Sequence, residues 1–141
     1  MEDKIFDSWI AGFWEGEGCV GKFKNQNGCY VEIRQALYSD RDVESCMEKI
    51  QKRFGGHLHT YNPKSKKHKP MIDWRLNRSC DVAEFIKIIY PYCQFRKKNL
   101  ENALIVLEEQ KLKKENMCKS VAKKLNLSKM AWYRIRLLAN G

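Results

Sequence analysis

The stretch Ile10-Ala11-Gly12-Phe13-Trp14-Glu15-Gly16-Glu17-Gly18 is the part of the sequence that decides the fold. Its apolar residues fall at helical spacing, Asp7 or Ser8 is suited to cap the start of a helix, and the closing glycines are suited to end it. We therefore expect a helix with Glu17 just beyond its last turn. A carboxylate there faces the negative end of the helix dipole, so it calls for a compensating cation.

The nonamer is similar, in register, to the signature of the LAGLIDADG homing endonucleases, Leu-Ala-Gly-Leu-Ile-Asp-Ala-Asp-Gly. Ala11, Gly12 and Gly18 are identical, and Glu15 and Glu17 replace the two acids of the signature. The resemblance implies that two such helices pack side by side at a domain or subunit interface. It also implies that Glu17 binds a divalent metal ion above the scissile phosphates, while Glu15 braces the paired helices.

The glycines of the motif predict how the helix is packed. Gly12 and Gly16 lie four residues apart on one stripe, where missing side chains let another backbone approach closely. The chain has no second copy of the motif, yet cutting a duplex requires an acid at each of two phosphates. A two-fold homodimer would supply the second acid through an isologous interface, which we assign to Trp9, Gly12, Phe13 and Gly16. The alternative is that the stripe packs against another helix of the same chain.

The composition indicates one domain with a polyanionic partner, because the chain has 141 residues and a formal net charge of +10. Nucleic acid is favoured over a membrane surface, since no apolar run of spanning length is present. No signal peptide is recognisable, so we expect an intracellular protein, in a prokaryotic cytoplasm or in an organelle or nucleus. The six cysteines lack zinc-ligand spacing and are interpreted as mostly buried thiols, with disulfides as the alternative.

The rest of the chain is interpreted as two β-hairpins, each followed by helical sequence. The predicted strands are 19–26, 29–38, 57–61 and 71–77. The predicted helices run from 39 to about 54 and from 81 to near 91, and a further helix begins at Arg96. Asn27-Gly28 is a strong hairpin-turn signal, and a bulge or a local twist is expected in the first strand because Val20 and Phe23 have opposite parity. The prediction is an α+β fold in the order α-β-β-α-β-β-α-α, with a twisted antiparallel sheet. This order matches the single-motif branch of the family that the nonamer resembles.

The C-terminal segment is strongly basic. From Gln110 onward the chain has nine Lys or Arg residues and only Glu115 as an acid. We divide the protein into an endonuclease-like core, 1–112, and a short helical tail, 113–141, whose two helices are split at Asn126-Leu127-Ser128 and faintly resemble a helix-turn-helix. The tail either contacts phosphates or packs beside the core with a solvated basic face.

The hairpins are expected to present a polar face to the major groove of double-stranded DNA, where base edges are distinguishable. The residues assigned to DNA are Lys22, Lys24, Asn25, Tyr30, Glu32, Arg34, His57, His59, Tyr61, Lys64, Lys66, Lys67, Asp73 and Arg75. The loop lysines are expected to hold phosphates, and the sheet residues to read bases. A metal site at the two histidines is less favoured, because no Cys or acid accompanies them at ligand spacing. The plainer alternative for each residue is a solvated sheet face.

Hydrolysis of a phosphodiester calls for a hard cation with oxygen ligands, and Glu17 suits Mg²⁺ or Mn²⁺. The resemblance implies that the Gly16 carbonyl completes the ligand set and that Arg96 or Lys98 lies near the scissile phosphate. It also implies that Tyr38 falls where the family often keeps Gln or Lys.

The resulting prediction is a homing endonuclease, with an intron-encoded origin favoured, that cuts a long pseudo-palindromic site as a homodimer and uses no small-molecule substrate. The alternative is a non-cleaving nucleic-acid-binding module of the same fold, such as an RNA maturase or a regulator.

Overall fold

The computed structural model describes residues 2–24, 28–64 and 67–124. Its helices are α1 (Glu2–Glu17), α2 (Val43–Phe54), α3 (Ser79–Ile89) and α4 (Lys97–Lys124), and its strands are β1 (Gly18–Lys22), β2 (Cys29–Ala36), β3 (His57–Tyr61) and β4 (Met71–Leu76). A 3-10 turn, Tyr90–Tyr92, follows α3. The α+β class and the order α-β-β-α-β-β-α-α are confirmed.

The first helix starts earlier than its capping signals predict. Asp7 and Ser8 lie inside α1, so the prediction that one of them caps the helix is wrong. Asp7 is buried and accepts two hydrogen bonds from Arg53 of α2, at 3.1 Å from Nε and 3.0 Å from Nη2. The Ser8 hydroxyl donates to the Ile5 carbonyl at 2.8 Å. An acid that resembles a cap in the sequence therefore holds two helices together.

The four strands form one antiparallel sheet in the order β1-β2-β4-β3. The β1–β2 ladder runs without interruption from the pair Gly18 and Ile33 to the pair Lys22 and Cys29, so the predicted bulge is wrong. Phe23 lies just after β1, where its N–H donates to the Gly28 carbonyl at 3.3 Å. The turn residue Asn27 lies outside the described residues.

Helices cover one face of the sheet, because alternate residues of the two central strands are apolar. The buried core combines sheet residues Val31, Ile33, Ile72, Trp74 and Leu76 with helix residues Ile10, Trp14, Met47, Ile50, Val82, Phe85, Ile86, Ile89, Leu100 and Leu107. The other face of the sheet carries the intervening polar residues. The sheet is thereby held rigid from one side while its polar face stays accessible.

The later helices differ from the prediction at their ends. Helix α2 begins at Val43 rather than near residue 39, because the Asp42 carboxylate accepts from the Ser45 N–H at 3.1 Å and caps it. It ends, as predicted, at Gly55, whose φ of 79° favours glycine. Helix α4 continues across residues 112 and 113 to Lys124. The division of the chain there stays a prediction, and the split at 126–128 lies outside the described residues.

The cysteines are less buried than predicted. The structure describes five of them as free thiols, and of these only Cys29 and Cys93 are buried. In the described part of the chain no helix is long and apolar enough to cross a membrane.

Candidate active site and nucleic-acid interface

Glu17 is the last residue of α1 and is exposed. It forms no hydrogen bond or ion pair with any other residue that the structure describes. Gly18 starts β1 directly, and neither Gly16 nor Gly18 is among the described glycines with positive φ. Gly18 is needed for a different reason, because a Cβ atom there would collide with the indole of Trp14. The helix thus passes straight into the sheet with Glu17 at the junction.

Glu15 and Arg96 lock this junction to the loop before α4, and we call this pair the Glu15–Arg96 clasp. The Glu15 carboxylate accepts hydrogen bonds from the backbone N–H groups of residues 94–96, at 2.8, 2.8 and 2.9 Å. In return, Arg96 Nη1 donates to the carbonyls of Trp14, at 3.3 Å, and Gly18, at 2.5 Å. The guanidinium also stacks on the Trp14 ring, 4.2 Å from its centroid. Arg96 therefore places a positive charge at the carbonyl end of α1, where the helix dipole is negative.

Glu15 is 6% exposed, which by itself raises the pKa of its carboxyl. The three backbone donors and the charge of Arg96 outweigh that burial and hold the pKa below the ordinary value of 4.5. Glu15 is therefore anchored as a carboxylate within its own chain. Both of its oxygens are engaged by the loop before α4, so within the chain Glu15 braces α1 against that loop, and its bracing of a second helix stays a prediction.

The other predicted catalytic residues lie in different surroundings. Lys98 is exposed in the first turn of α4 and forms no hydrogen bond or ion pair within the described ranges. Tyr38 lies beyond the end of β2, with Lys69 Nζ at 4.0 Å and Arg41 Cζ at 4.5 Å from its ring centroid. Arg96 is thus connected to Glu17 through the next residue, Gly18, whose carbonyl accepts a hydrogen bond from Arg96. The structure shows no contact that brings Tyr38 to them among the described residues.

Gln35 is a polar residue near the end of α1 that the sequence analysis did not assign to the site. Gly18 pairs with Ile33, and Gln35 follows two residues later on the same, helix-covered side of β2. Its side chain is half-buried, and it has no hydrogen-bond partner in residues 2–24, 28–64 and 67–116. The signal for it was present, because it is a polar residue at an apolar position of the strand.

The end of α1 offers one carboxylate and the carbonyls of a helix C-terminus. The described residues contain no group of three or more His, Cys, Asp or Glu side chains that could hold a metal ion, at His57 and His59 or elsewhere. Mg²⁺ is commonly held by one or two carboxylates, water and substrate phosphates rather than by a cage of protein ligands. Glu17 therefore fits a hard cation that is completed by a phosphate-bearing substrate.

The outward side of α1 is apolar and bare. Ile5 is 67% exposed and Trp9 is 48% exposed, and the Trp9 ring stacks on Phe13 with centroids 5.2 Å apart. A Cβ atom built on Gly12 or Gly16 would meet no atom within 4 Å among the described residues. The alternative that another described helix of this chain covers the stripe is therefore wrong. Ile5 belongs to this surface as well, and the sequence analysis missed it.

The polar face of the sheet brings together the residues that were predicted to read bases. In the ladders Glu32 lies opposite Arg75, and Arg34 lies opposite Asp73. On their other side, Arg75 opposes His57 and Asp73 opposes His59 of the outer strand. Tyr30 and Tyr61 share this face by parity, and Cys19 and Gly21 of β1 extend it. The Tyr30 ring lies where a Cβ atom at Gly21 would clash with it. The spacing along the strands was sufficient to predict the face.

Ion pairs at longer than hydrogen-bonding distance link the charged residues of this face. Arg34 Nη2 lies 3.7 Å from Glu32 Oε1 and 3.8 Å from Asp73 Oδ2, and Arg75 Nε lies 3.7 Å from Glu32 Oε2. The buried atoms Asp73 Oδ1 and Arg75 Nε have no hydrogen-bond partner among the residues that the structure describes. Burial and the nearby Glu32 carboxylate raise the pKa of Asp73, against the opposing charges of Arg34 and Arg75.

The predicted basic contacts are more scattered than the sheet residues. Lys22 pairs with buried Cys29, so it lies on the helix side of the sheet rather than on the polar face. Lys24, Lys64 and Lys67 are exposed, whereas Asn25 and Lys66 lie outside the described residues. A shallow cavity of about 390 Å³ at one end of the polar face is lined by Ala36, Tyr61, Pro63, Lys67, His68, Lys69 and Met71.

Comparison with known proteins identifies the class. The family model for the LAGLIDADG endonuclease matches residues 10–106, which is more than half of the chain. The chain therefore belongs to the LAGLIDADG endonuclease family. No curated protein matches it.

Solved structures support the fold independently. The homing endonuclease I-CvuI in complex with the I-CreI target is similar at a TM-score of 0.60 and 17% identity, covering 76% of this chain and 68% of that one. The archaeal intron-encoded homing endonuclease I-Vdi141I complexed with DNA is similar at a TM-score of 0.52 and 13% identity, covering 99% of this chain and 97% of that one. At these identities the likeness establishes the architecture, including the α1–sheet arrangement.

Proposed function

We propose that the protein is a site-specific homing endonuclease that makes a metal-dependent double-strand break in a long pseudo-palindromic DNA site as a homodimer. The observation that carries this proposal is the end of α1. There an exposed Glu17 closes the helix, and within the described part of the chain nothing pairs with Glu17 or covers the outward Gly12–Gly16 stripe. Family membership supports DNA as the substrate, and the net charge of +10 supports a polyanionic partner.

Pairing of α1 with the α1 helix of a second copy of the chain explains both the exposed Glu17 and the uncovered Gly12–Gly16 stripe. An isologous contact would cover Ile5, Trp9 and the glycine stripe with the same residues of the partner. The missing side chains at the glycines would let the two helices approach closely. Because Glu17 ends the helix, two such helices would present two acids beside each other, one for each strand. We assign the interface to Trp9, Gly12, Phe13 and Gly16, together with Ile5.

Glu17 and the Gly16 carbonyl would hold a divalent cation, Mg²⁺ in preference to Mn²⁺, against phosphate oxygens of the DNA. When bound, the cation stabilises the negative charge of the in-line displacement and activates the attacking water. The Glu15–Arg96 clasp positions Glu17, because it fixes the main chain on both sides of it. Lys98, which has no competing partner in the described ranges, is the cation that we assign to the scissile phosphate. Arg96 is assigned a positioning role.

The polar sheet face would lie in the major groove, whose base edges carry a distinct pattern for each pair. We assign the reading of bases to this face as a whole, and phosphate contacts to the exposed lysines of the 62–70 loop. Tyr38 and Gln35 are both proposed as neighbours of the cleaved phosphate. Gln35 has the stronger support, since the register places it two residues past the partner of Gly18. A nuclease of this kind acts inside the cell, where its DNA target is.

The experiment is cleavage of a plasmid that carries a site selected from randomised DNA, with Mg²⁺ and with a chelator. We expect linear product only with the metal, and we expect Glu17→Gln to lose cleavage by about a hundredfold or more, which corresponds to about 2.7 kcal/mol of transition-state stabilisation. DNA binding should remain, because Glu17→Gln leaves the side chains of the polar face and the basic residues unchanged.

Lys49→Gln on α2 is the matched control, because it also alters one exposed charged side chain without touching α1 or the sheet face. It should cut at the parental rate. Cleavage by Glu17→Gln within tenfold of the parent would remove Glu17 from the metal site. A parent that shifts the site but leaves it intact with Mg²⁺ would favour the non-cleaving alternative, an RNA maturase or a regulator.

A further inference from the structure

The two central strands of the polar face carry four charged side chains in alternation. Glu32 lies across from Arg75, and Arg34 lies across from Asp73. Along each strand the neighbour on the same face has the opposite charge as well. We call this group of four the charge square. Its formal charges cancel, although the chain as a whole carries +10.

The square has two levels. The side chains of Arg34 and Arg75 are 49% and 37% exposed, whereas those of Glu32 and Asp73 are only 15% and 14% exposed. The arginines are therefore the members that an approaching partner meets first. The carboxylates lie beneath them, within ion-pair distance of the guanidinium groups, and Cys19 Sγ also lies 3.9 Å from Glu32 Oε1. Glu32 and Asp73, which the sequence analysis assigned to direct base contacts, are placed behind the readers.

The contacts within the square are unequal. Glu32 is within ion-pair distance of both arginines, through Oε1 to Arg34 and through Oε2 to Arg75, at 3.7 Å each. Asp73 is within that distance of Arg34, at 3.8 Å. Arg75 has a second support in Tyr30, whose ring centroid lies 3.8 Å from its Cζ. Glu32 is thus the carboxylate that the two arginines share.

Carboxylates at the centre of a surface that meets a polyanion oppose binding, so affinity does not explain them. Orientation does explain them. A guanidinium has donors on several edges, so a carboxylate that attracts one edge leaves the fork on another edge to face O6 and N7 of guanine. The ion pairs are longer than the roughly 2.7–2.9 Å of charge-assisted hydrogen bonds, so the square retains room to adjust.

We propose that Glu32 is a positioning residue that couples Arg34 to Arg75, so that the base preferences at the two DNA positions they read depend on each other. The proposal rests on the proposed DNA recognition by the polar face. When one arginine binds guanine, the contact between that arginine and the Glu32 carboxylate changes. The second arginine then meets a Glu32 carboxylate that has moved and whose negative charge is less fully neutralised by the first arginine.

The test is binding of the full-length protein to a DNA library that carries all base combinations at the two positions, which Arg34→Ala and Arg75→Ala identify. For the parent we expect the preference at one position to change by about threefold or more with the base at the other, the size typical of directly coupled groups. Glu32→Gln should weaken both preferences and make them independent. Asp73→Asn should weaken the preference at the Arg34 position alone.

Glu48→Gln is the matched control, because it makes the same charge change on the exposed side of α2. It should raise affinity for all sequences alike and leave the coupling as in the parent. Independent preferences in the parent would overturn the proposal. So would a Glu32→Gln variant that loses thermal stability or changes overall affinity while both preferences and their dependence persist, or alanine variants that shift no position.

DNA-binding measurements distinguish failure of this proposal from failure of the proposed endonuclease activity. Specific binding without cleavage would overturn the proposed enzyme and leave the coupling to be decided by the same library. Specific binding with independent positions would overturn the coupling alone. A parent with no sequence preference on DNA would overturn both.

Discussion

At the scale of single residues, the charge of Glu15 is held by three backbone donors and Arg96 in a site that is 6% exposed. Glu15→Gln removes that charge and turns an amide NH₂ group towards N–H donors. We expect the free energy of unfolding at neutral pH to fall by about 3 kcal/mol, the upper range for hydrogen bonds to a charged group. Urea unfolding of parent and variant measures this difference.

The same residue predicts a pH dependence. Because the folded-state pKa of Glu15 is below its ordinary value of 4.5, the stability it contributes is complete above that value and is lost as pH falls through the folded-state pKa. The difference between parent and variant should therefore shrink on acidification. Glu17→Gln is the matched control, since an exposed residue without a described partner should change stability by less than about 0.5 kcal/mol. If the difference in the free energy of unfolding between parent and Glu15→Gln stayed constant on acidification, Glu15 would not be ionised within the Glu15–Arg96 clasp.

At the scale of elements, α1 has a buried side that builds the core and an outward side that meets nothing in the described chain. Gly12→Leu adds a side chain in open space, so the protomer should stay folded. The leucine would hold two copies of α1 apart and misplace both Glu17 side chains. We expect loss of the dimer in analytical ultracentrifugation, together with loss of double-strand cleavage and unchanged circular dichroism.

Lys4→Leu adds the same side chain to α1 outside the stripe, and it should leave the dimer and its cleavage intact. A Gly12→Leu protein that still sediments as a dimer and still cuts both strands would contradict the pairing of α1. A parent that is monomeric both free and on DNA that it cuts would contradict it more directly.

At the scale of the whole molecule, affinity and sequence choice are carried by different parts. The charge square is formally neutral, so the excess of positive charge lies in exposed lysines such as Lys64. Lys64→Ala should weaken binding to all sequences alike and reduce the slope of log affinity against log salt by about 0.9. Arg75→Ala should instead cost about 1–3 kcal/mol at one base position. Salt titrations on a selected site and on unrelated DNA measure both, and a changed base preference in Lys64→Ala would place the loop in the reading surface.

Local sequence was enough where neighbours along the chain decide the structure. Alternation in β2 and β4 separates the core residues Ile33 and Trp74 from Arg34 and Arg75 on the polar face, because side chains point to opposite faces with a period of two. Glycine at position 55 ends α2 for an equally local reason. The helical spacing and acidic end of α1 likewise predicted where Glu17 would be presented.

What only the tertiary structure decided involves partners that are distant in sequence. Asp7 has the features of a helix cap, but its carboxylate accepts hydrogen bonds from Arg53, 46 residues away. Glu15 is anchored by donors 79 to 81 residues away, and Arg96 by carbonyls 78 and 82 residues before it. The sequence by itself determined the elements, the polar face and the acid. Which charges are held, and which stay free for DNA, depended on contacts that form only when the sheet closes against α1 and the loop before α4.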